Sequence, residues 1–353
     1  MTSGPKLWSC QTQTEFTGLR SEIGCWRHER LQAERVLAGW LPQALRVSWV
    51  DLCNRNETVT VGSTPDARVC EWENSSYLTV CRVFPHVGGR LLAHCTREFQ
   101  FTLEDYTVTA PVRYRLSVII PFSGHGRVRQ LQTVLASLRA QDMQDFEILI
   151  PADREDVDRL EGSVSANVRF VPSENLNAAY CKSRHMNKAV EAARASNVLL
   201  HDADILVPAS YVRRVTEVLE NGWDAVHPVR LLFYLGEADT ERLLVTQGQV
   251  AATRFSEVRQ NFAGGSVALT REAFARVGGM NEDFVGWGLQ DVEFLQRVST
   301  TRMFRGRFVP AIHLWHAAHR DLANNPNSKR LEDLQETPVQ ERIRMLHRTR
   351  ESA

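Results

Sequence analysis

The sequence has no net charge: its 353 residues carry 42 lysines plus arginines against 42 aspartates plus glutamates. No global field draws it to nucleic acid or to an anionic membrane surface, so any anion it binds must be held by local groups. Long hydrophobic runs are missing too. Apolar stretches such as LSVIIPF and NVLL fall far short of the roughly 20 residues that span a bilayer, and no integral membrane segment is expected. The opening MTSGPKLWSCQTQTEF has no continuous apolar core of the kind a secretory signal needs, which favours a cytoplasmic location. There is no CxxC pair to suggest zinc. Six of the seven cysteines (Cys10, Cys25, Cys53, Cys70, Cys81 and Cys95) fall in the first hundred residues and read as reduced structural thiols. The N-glycosylation patterns at Asn56 and Asn74 have meaning only in a secreted chain. No internal repeat or low-complexity tract is present.

What remains is a folded chain with 43% hydrophobic residues, ample for a large core. Residues 1–112 show a helical stretch near 28–45, then β-branched segments (LRVSWVDL, ETVTVG, YLTVCRVF, REFQFTL) separated by turn formers. They predict a small, mainly β accessory domain joined through YTVTAPVRYR. From 113 to about 330 the texture changes. LSVIIPF, FEILIPAD, NVRFVPS and NVLLHDAD read as buried strands, and RVRQLQTVLASLRAQ and SRHMNKAVEAARAS as helices between them. Alternating strands and helices with fully apolar strands predict an α/β fold, a mainly parallel Rossmann-like sheet sandwiched by helices. Ligands in such sheets lie at the carboxyl ends of the strands, so PFSGHGR, PADRED and HDAD should converge. Residues 331–353 form a charged helical or frayed tail interrupted at Pro338.

The chemistry concentrates late in the chain. Asp202 and Asp204 put two carboxylates at the end of a buried strand, where a hard cation such as Mg²⁺ or Mn²⁺ bridges a carboxylate to phosphate oxygens. His313 and His316, three apart after FVPAIH, suit one divalent ion. In FVGWGLQD, Gly286 and Gly288 let the backbone bend around Trp287, a flat platform for a sugar ring. Asp291 follows as a carboxylate able to take a hydroxyl proton. Each feature has an ordinary structural alternative: solvated acids, a loop histidine such as His319, a core tryptophan, a helix-capping aspartate.

Taken together, PF after the first strand, DAD, GG…REAFARVGGMNEDFVGWG and QD, and HxxH resemble the glycosyltransferases of the GT-A fold. The earlier part resembles the broad family-two nucleotide-sugar transferases. REAF through QDVEF resembles the C-terminal region of β-1,4-galactosyltransferases and, more loosely, polypeptide N-acetylgalactosaminyltransferases and chondroitin-type polymerases. The resemblance covers about residues 114–325. It implies Asp204, His313 and His316 as metal ligands, Mn²⁺ or Mg²⁺ as cofactor, and Asp291 as catalytic base. Asp202 would help hold the ribose and the metal-bound diphosphate of a UDP-sugar. Pro121 and Phe122 would start the uridine pocket, Asp153 would touch the nucleoside, and Lys182 or Arg184 would supply a cation near the diphosphate. Trp287, Gly288 and Gln290 would border the sugar and the acceptor, which would be a saccharide, a peptide or another hydroxyl compound.

Three departures stand out. Gln290 occupies a position where the galactosyltransferases usually have glutamate. Ser123 replaces an arginine expected soon after PF, with Arg127 as a substitute. Residues 1–112 have no counterpart in those families. The expected reaction is inverting transfer of a hexose such as galactose or N-acetylgalactosamine. A sugar-phosphate nucleotidyltransferase would share the sheet and the acid-bound metal, with SGHGR as a faint echo of its glycine-rich loop. A non-catalytic carbohydrate-binding protein on the same scaffold would not need the full set of acids and histidines.

Overall fold

The computed structural model describes residues 19–72, 74–103, 113–160, 168–173, 180–246, 255, 257–286, 288–317 and 325–351. The early part of the chain departs from the expected β domain. It holds helix α1 (Leu19–Leu37), strands β1 (Val59–Val61), β2 (Arg68–Cys70) and β3 (Ser76–Tyr77), and helices α2 (Thr79–Val83) and α3 (Pro85–Glu98). ETVTVG supplies a strand, but YLTVCRVF and the start of REFQFTL are largely helical. The burial pattern gives the reason. Val80 and Cys81 of α2 and Leu91, Leu92 and Cys95 of α3 are buried while Val83 is exposed, so the apolar residues of this segment serve helix faces. Pro85 sits at the start of α3, where its missing N–H costs nothing. Gly88 lets α3 lie on the chain at Phe255, because a Cβ there would meet the Phe255 carbonyl oxygen at 2.5 Å.

From Leu116 strands and helices alternate as the apolar runs predict. They are β4 (Leu116–Ile119), α4 (Val128–Arg139), β5 (Phe146–Ala152), α5 (Arg154–Leu160), β6 (Val168–Pro172), α6 (Lys182–Ala192) and β7 (Asn197–His201). Next come β8 (Ile205–Leu206), α7 (Tyr211–Glu220), β9 (Ala225–Val226), β10 (Val229–Tyr234), α8 (Glu237–Thr246), β11 (Val258–Gln260) and β12 (Ser266–Thr270). The chain continues through α9 (Arg271–Arg276), α10 (Gln290–Val298), β13 (Met303–Phe304), β14 (Val309–His313), α11 (Pro326–Gln335) and α12 (Val339–Glu351). Among the described residues the strands form a β1-β2 ribbon, a seven-stranded sheet ordered β13-β9-β12-β7-β4-β5-β6, and a five-stranded sheet ordered β3-β11-β10-β14-β8.

In the larger sheet β7, β4, β5 and β6 run parallel, and β12 joins antiparallel to β7. Successive strand residues point to opposite faces, so a strand apolar throughout must be covered on both. Leu116 and Val118 of β4 pack on one face with Leu131, Val134 and Leu138 of α4. Ile119 packs on the other with Met186 and Val190 of α6 and with Phe294 and Val298 of α10. This two-faced core places the carboxyl ends of β4, β5 and β7 along one rim.

The smaller sheet brings distant segments to that rim. β10 and β14 pair in parallel, with Tyr234 opposite His313, and β14 pairs antiparallel with β8, with His313 opposite Ile205. β3, from the early region, adds to its edge through β11. Arg230 of β10 is buried and donates to the carbonyls of Val50 at 2.8 Å and Leu52 at 2.5 Å. The C-terminal helices are docked rather than frayed. Pro338 separates α11 from α12, and Arg342 of α12 donates to Gln296 on α10 at 2.9 Å.

Candidate active site

His201 ends β7 inside the core. Its ring contacts the Ser266 hydroxyl at 3.0 Å and the Ile205 carbonyl at 2.9 Å, and burial holds its pKa below the usual histidine range. It is therefore a neutral anchor for the turn that follows. In that turn the Asp202 N–H donates to the Gly265 carbonyl at 2.9 Å, and the Leu314 N–H donates to the Asp204 carbonyl at 2.8 Å. The second contact ties the DAD turn to the HLWH segment and explains how residues over a hundred positions apart meet.

Asp204, His313 and His316 each offer a ligand atom, all within 4.8 Å of one another. The Nε2 atoms of His313 and His316 lie 3.7 and 3.1 Å from the Asp204 carboxylate. One hard oxygen and two imidazole nitrogens at this spacing fit a divalent cation of the Mn²⁺ type. The histidine side of this group is held from behind. His313 stacks on Tyr234 with ring centroids 4.4 Å apart, and the backbone at Trp315 is fixed by the Thr240 hydroxyl and the Gln130 amide. Burial opposes ionisation of Asp204, but the two imidazoles and Arg127 outweigh it and hold the carboxyl well below its ordinary range. The Arg127 guanidinium is 3.6 Å from that carboxylate.

A second group lies beside the first. Lys182, at the start of α6, reaches Asp202 at 2.7 Å and both carboxylate oxygens of Asp291 at 3.1 Å. Burial disfavours the charged lysine, yet the two carboxylates raise its pKa above the ordinary value. Burial pushes Asp291 up, Lys182 pulls it down, and the nearby Asp202 adds to the rise, leaving it above its usual value. Asp291 stands in the first turn of α10, behind Leu289, whose φ of 70° is unusual for a residue with a side chain. Gly264 leaves the carboxylate room: a Cβ there would lie 3.1 Å from Asp291 Oδ2 and from the Phe262 ring.

The remaining expected positions are dispersed. The Phe122 ring is in the core, 1% exposed, and Pro121 beside it is buried. Asp153 follows β5 and accepts from the Asp156 N–H at 3.5 Å. Arg184 pairs with Glu282 at 2.9 Å, away from the Lys182 carboxylates. Gln290 is 6% exposed, and its Oε1 has no hydrogen-bond partner among the described residues. Gly288 adopts φ 101°, and its carbonyl and that of Val285 both accept from the Asn327 amide at 3.1 Å. Trp287, between them, lies outside the described residues, as do His319 and most of the YTVTAPVRYR connector. Tyr234, Phe262 and Asn327 were not visible as site residues in the sequence. Only the strand end VRLLFY hinted at the first, since a tyrosine closing an apolar strand sits at the ligand rim.

Cys53, Cys70, Cys81, Cys95 and Cys181 are free thiols, while Cys10 lies outside the described residues. No helix among the described residues is long and apolar enough to cross a membrane.

An α/β sheet thus carries a carboxylate and two histidines at its rim, and over part of its length the chain is similar to known glycosyltransferases. Residues 249–319 match the family model described as the N-terminal domain of galactosyltransferase. Chondroitin sulfate synthase 3 of Mus musculus is 22% identical over 136 residues, a stretch that covers 38% of this chain and 15% of that protein. Among solved structures, the mannosyltransferase PcManGT from Pyrobaculum calidifontis, in complex with GDP-Man and Mn²⁺, is similar at 19% identity. The match covers 69% of each chain with a TM-score of 0.41. GalNAc-T7 with UDP, GalNAc and Mn²⁺ is similar at 11% identity, over 58% of this chain and 44% of that one, with a TM-score of 0.43. Over residues 249–319 the chain thus resembles the galactosyltransferase family, and it spans only a small part of the chondroitin sulfate synthase it matches.

Proposed function

We propose that the protein transfers a hexose, galactose, N-acetylgalactosamine or a related sugar, from a UDP-sugar to a hydroxyl acceptor with inversion. The observation that carries this reading is the placing of two distinct groups on one rim, the Asp204, His313 and His316 ligand set and the Asp202, Lys182 and Asp291 cluster. Asp204, His313 and His316 would hold Mn²⁺ or Mg²⁺, which supplies Lewis-acid stabilisation of the departing diphosphate. Arg127 adds positive charge at the same end, as a local cation must in a chain without net charge.

Asp291 accepts the proton of the attacking hydroxyl. The acceptor oxygen then bonds to the anomeric carbon, the bond from that carbon to the diphosphate oxygen breaks, and its electron pair leaves with UDP. Burial favours this role, because a carboxylate with a raised pKa is a stronger base than one in water. Asp202 would meet the donor beside it. Trp287, Gly288 and Gln290 would border the acceptor, and the Asn327 amide holds the carbonyls of Val285 and Gly288. Fixing both substrates on one rim makes the encounter effectively unimolecular.

The test is UDP release from a panel of UDP-sugars with Mn²⁺ and saccharide or peptide acceptors. Asp204→Ala should abolish release together with Mn²⁺ binding. Asp291→Asn should keep UDP and Mn²⁺ binding and lose transfer. A product with retained anomeric configuration would remove Asp291 from the role of base. Diphosphate release from a nucleoside triphosphate and a sugar phosphate would favour nucleotidyl transfer instead.

A further inference from the structure

The resemblance implies Lys182 or Arg184 as a cation for the leaving diphosphate. The geometry points to a different role, in which Lys182 is a positioning residue that holds the Asp291 carboxylate in place for proton transfer and ties it to Asp202. This inference rests on the glycosyl-transfer reading above. An ammonium group has three N–H donors and no more. All three have partners, Asp202 Oδ1 at 2.7 Å and Asp291 Oδ1 and Oδ2 at 3.1 Å each. None is left over for a phosphate oxygen. The equal distances to the two Asp291 oxygens set the nitrogen symmetrically against the carboxylate, which fixes its orientation as well as its charge.

The residue type suits that role. Lys182 is one of four lysines in the chain, where arginine supplies the rest of the positive charge. A compact ammonium can sit between two carboxylates arriving from different directions, whereas the planar guanidinium fork suits one carboxylate or phosphate at a time. The two carboxylates come from separate elements, Asp202 from the turn after β7 and Asp291 from the first turn of α10. Lys182, on α6, is the charged side chain that joins them. Its side chain is 11% exposed. Without it, two carboxylates would face each other in a partly buried pocket lined by Leu200, Met280 and Phe294. Such a pair takes up a proton, and a protonated Asp291 accepts nothing from a hydroxyl. Arg127 stands at the metal end, beside Asp204, so the two cations divide the work: one faces the departing charge and the other the base.

Six proteins decide this: wild type, Lys182→Met, Lys182→Gln, Lys182→Arg, Asp291→Asn and the Lys182→Met/Asp291→Asn double variant. Affinity for UDP with Mn²⁺ is measured by calorimetry, and kcat and KM by UDP release. The positioning role predicts that Lys182→Met loses at least about 100-fold in kcat while UDP affinity stays within about threefold. The double variant should then be no slower than Asp291→Asn within about threefold, since residues acting as one unit are not additive. In Lys182→Gln the acidic limb of kcat/KM should move up by about one pH unit, as expected when Asp291 faces Asp202 without the ammonium, and Lys182→Arg should move it back towards wild type. Should the methionine variant fail to fold, the glutamine variant carries the same binding and kinetic measurements.

A loss of UDP affinity of about tenfold or more, with rate losses that multiply in the double variant, would overturn the positioning role and return Lys182 to the diphosphate. Failure of the underlying reading looks different: wild type releases no UDP from any donor, or Asp291→Asn transfers sugar normally.

Discussion

Replacing Arg297 by methionine tests how α10, the helix that presents Asp291, is held in the core. Arg297 is fully buried. It donates to both carboxylate oxygens of Glu293, at 2.8 and 2.7 Å, and to the carbonyls of Val277 and Gly279 at 2.5 Å each. It therefore joins α10 to the glycine turn after α9, where Gly278 and Gly279 have φ of 80° and 62°. Methionine fills much of the volume but offers no donor. Breaking a buried ion pair from one side costs about 3–5 kcal/mol, and each orphaned carbonyl adds about 1 kcal/mol. Arg342, whose Nη1 is 3.7 Å from Glu293, offsets part of this. The net expectation is a loss of about 4 kcal/mol, a large share of the roughly 5–15 kcal/mol that stabilises a folded domain. Urea unfolding measures it. Combining Arg297→Met with Glu293→Leu removes the stranded charge and should recover about 2–3 kcal/mol, leaving the carbonyl cost behind. A single variant that loses less than about 1 kcal/mol, or a double variant no more stable than the single one, would refute the reasoning.

Two further perturbations probe regions outside the reacting groups. Burial raises the Glu29 carboxyl to about 7 from an ordinary 4.5, against hydrogen bonds from the backbone of Arg55 and Val80 that lower it. The folded chain therefore holds a proton that the unfolded chain has released across that window, and stability falls as pH rises through it. Urea unfolding of the wild type should lose up to about 3 kcal/mol from this group between pH 5 and 8, and Glu29→Gln should not; matching profiles for the two would count against it. Asn327→Ala removes both amide contacts to the Val285 and Gly288 carbonyls. It should raise the acceptor KM about tenfold while UDP affinity is unchanged, which steady-state kinetics with varied acceptor would show.

The catalytic sheet was legible because its strands are apolar on both faces, and only a parallel sheet covered by helices uses LSVIIPF, FEILIPA and NVLL in that way. Asp204, His313 and His316 were legible as a set through the resemblance, and the β8–β14 register supplies the physical reason they meet. Lys182 was legible as a functional cation but not its partners, because nothing in CKSRHMNKA says whether its side chain turns towards phosphate or carboxylate. The Val277–Met280 turn shows a further limit. GGM belongs to the stretch that carries the resemblance, whereas the Val277 and Gly279 carbonyls serve Arg297 within the core.

The early region differs from the expected β domain for a reason that also assigns it a structural part. Alternating β-branched residues predict a strand with one wet and one dry face, but here the dry positions lie on helices. The five-stranded sheet is completed from the same region. β3 extends it, and the Gln260 amide on β11 donates to both Glu57 and Ser76. The buried Arg230 guanidinium ends on the Val50 and Leu52 carbonyls and, at 2.9 Å, on Gln260. If residues 49–77 were removed, a buried cation would lose most of its acceptors, at a cost no surface contact could offset. β10 carries both Arg230 and Tyr234, the ring on which His313 stacks. The early region thus fixes the strand that backs His313, so its contribution to the candidate site is exerted through the sheet.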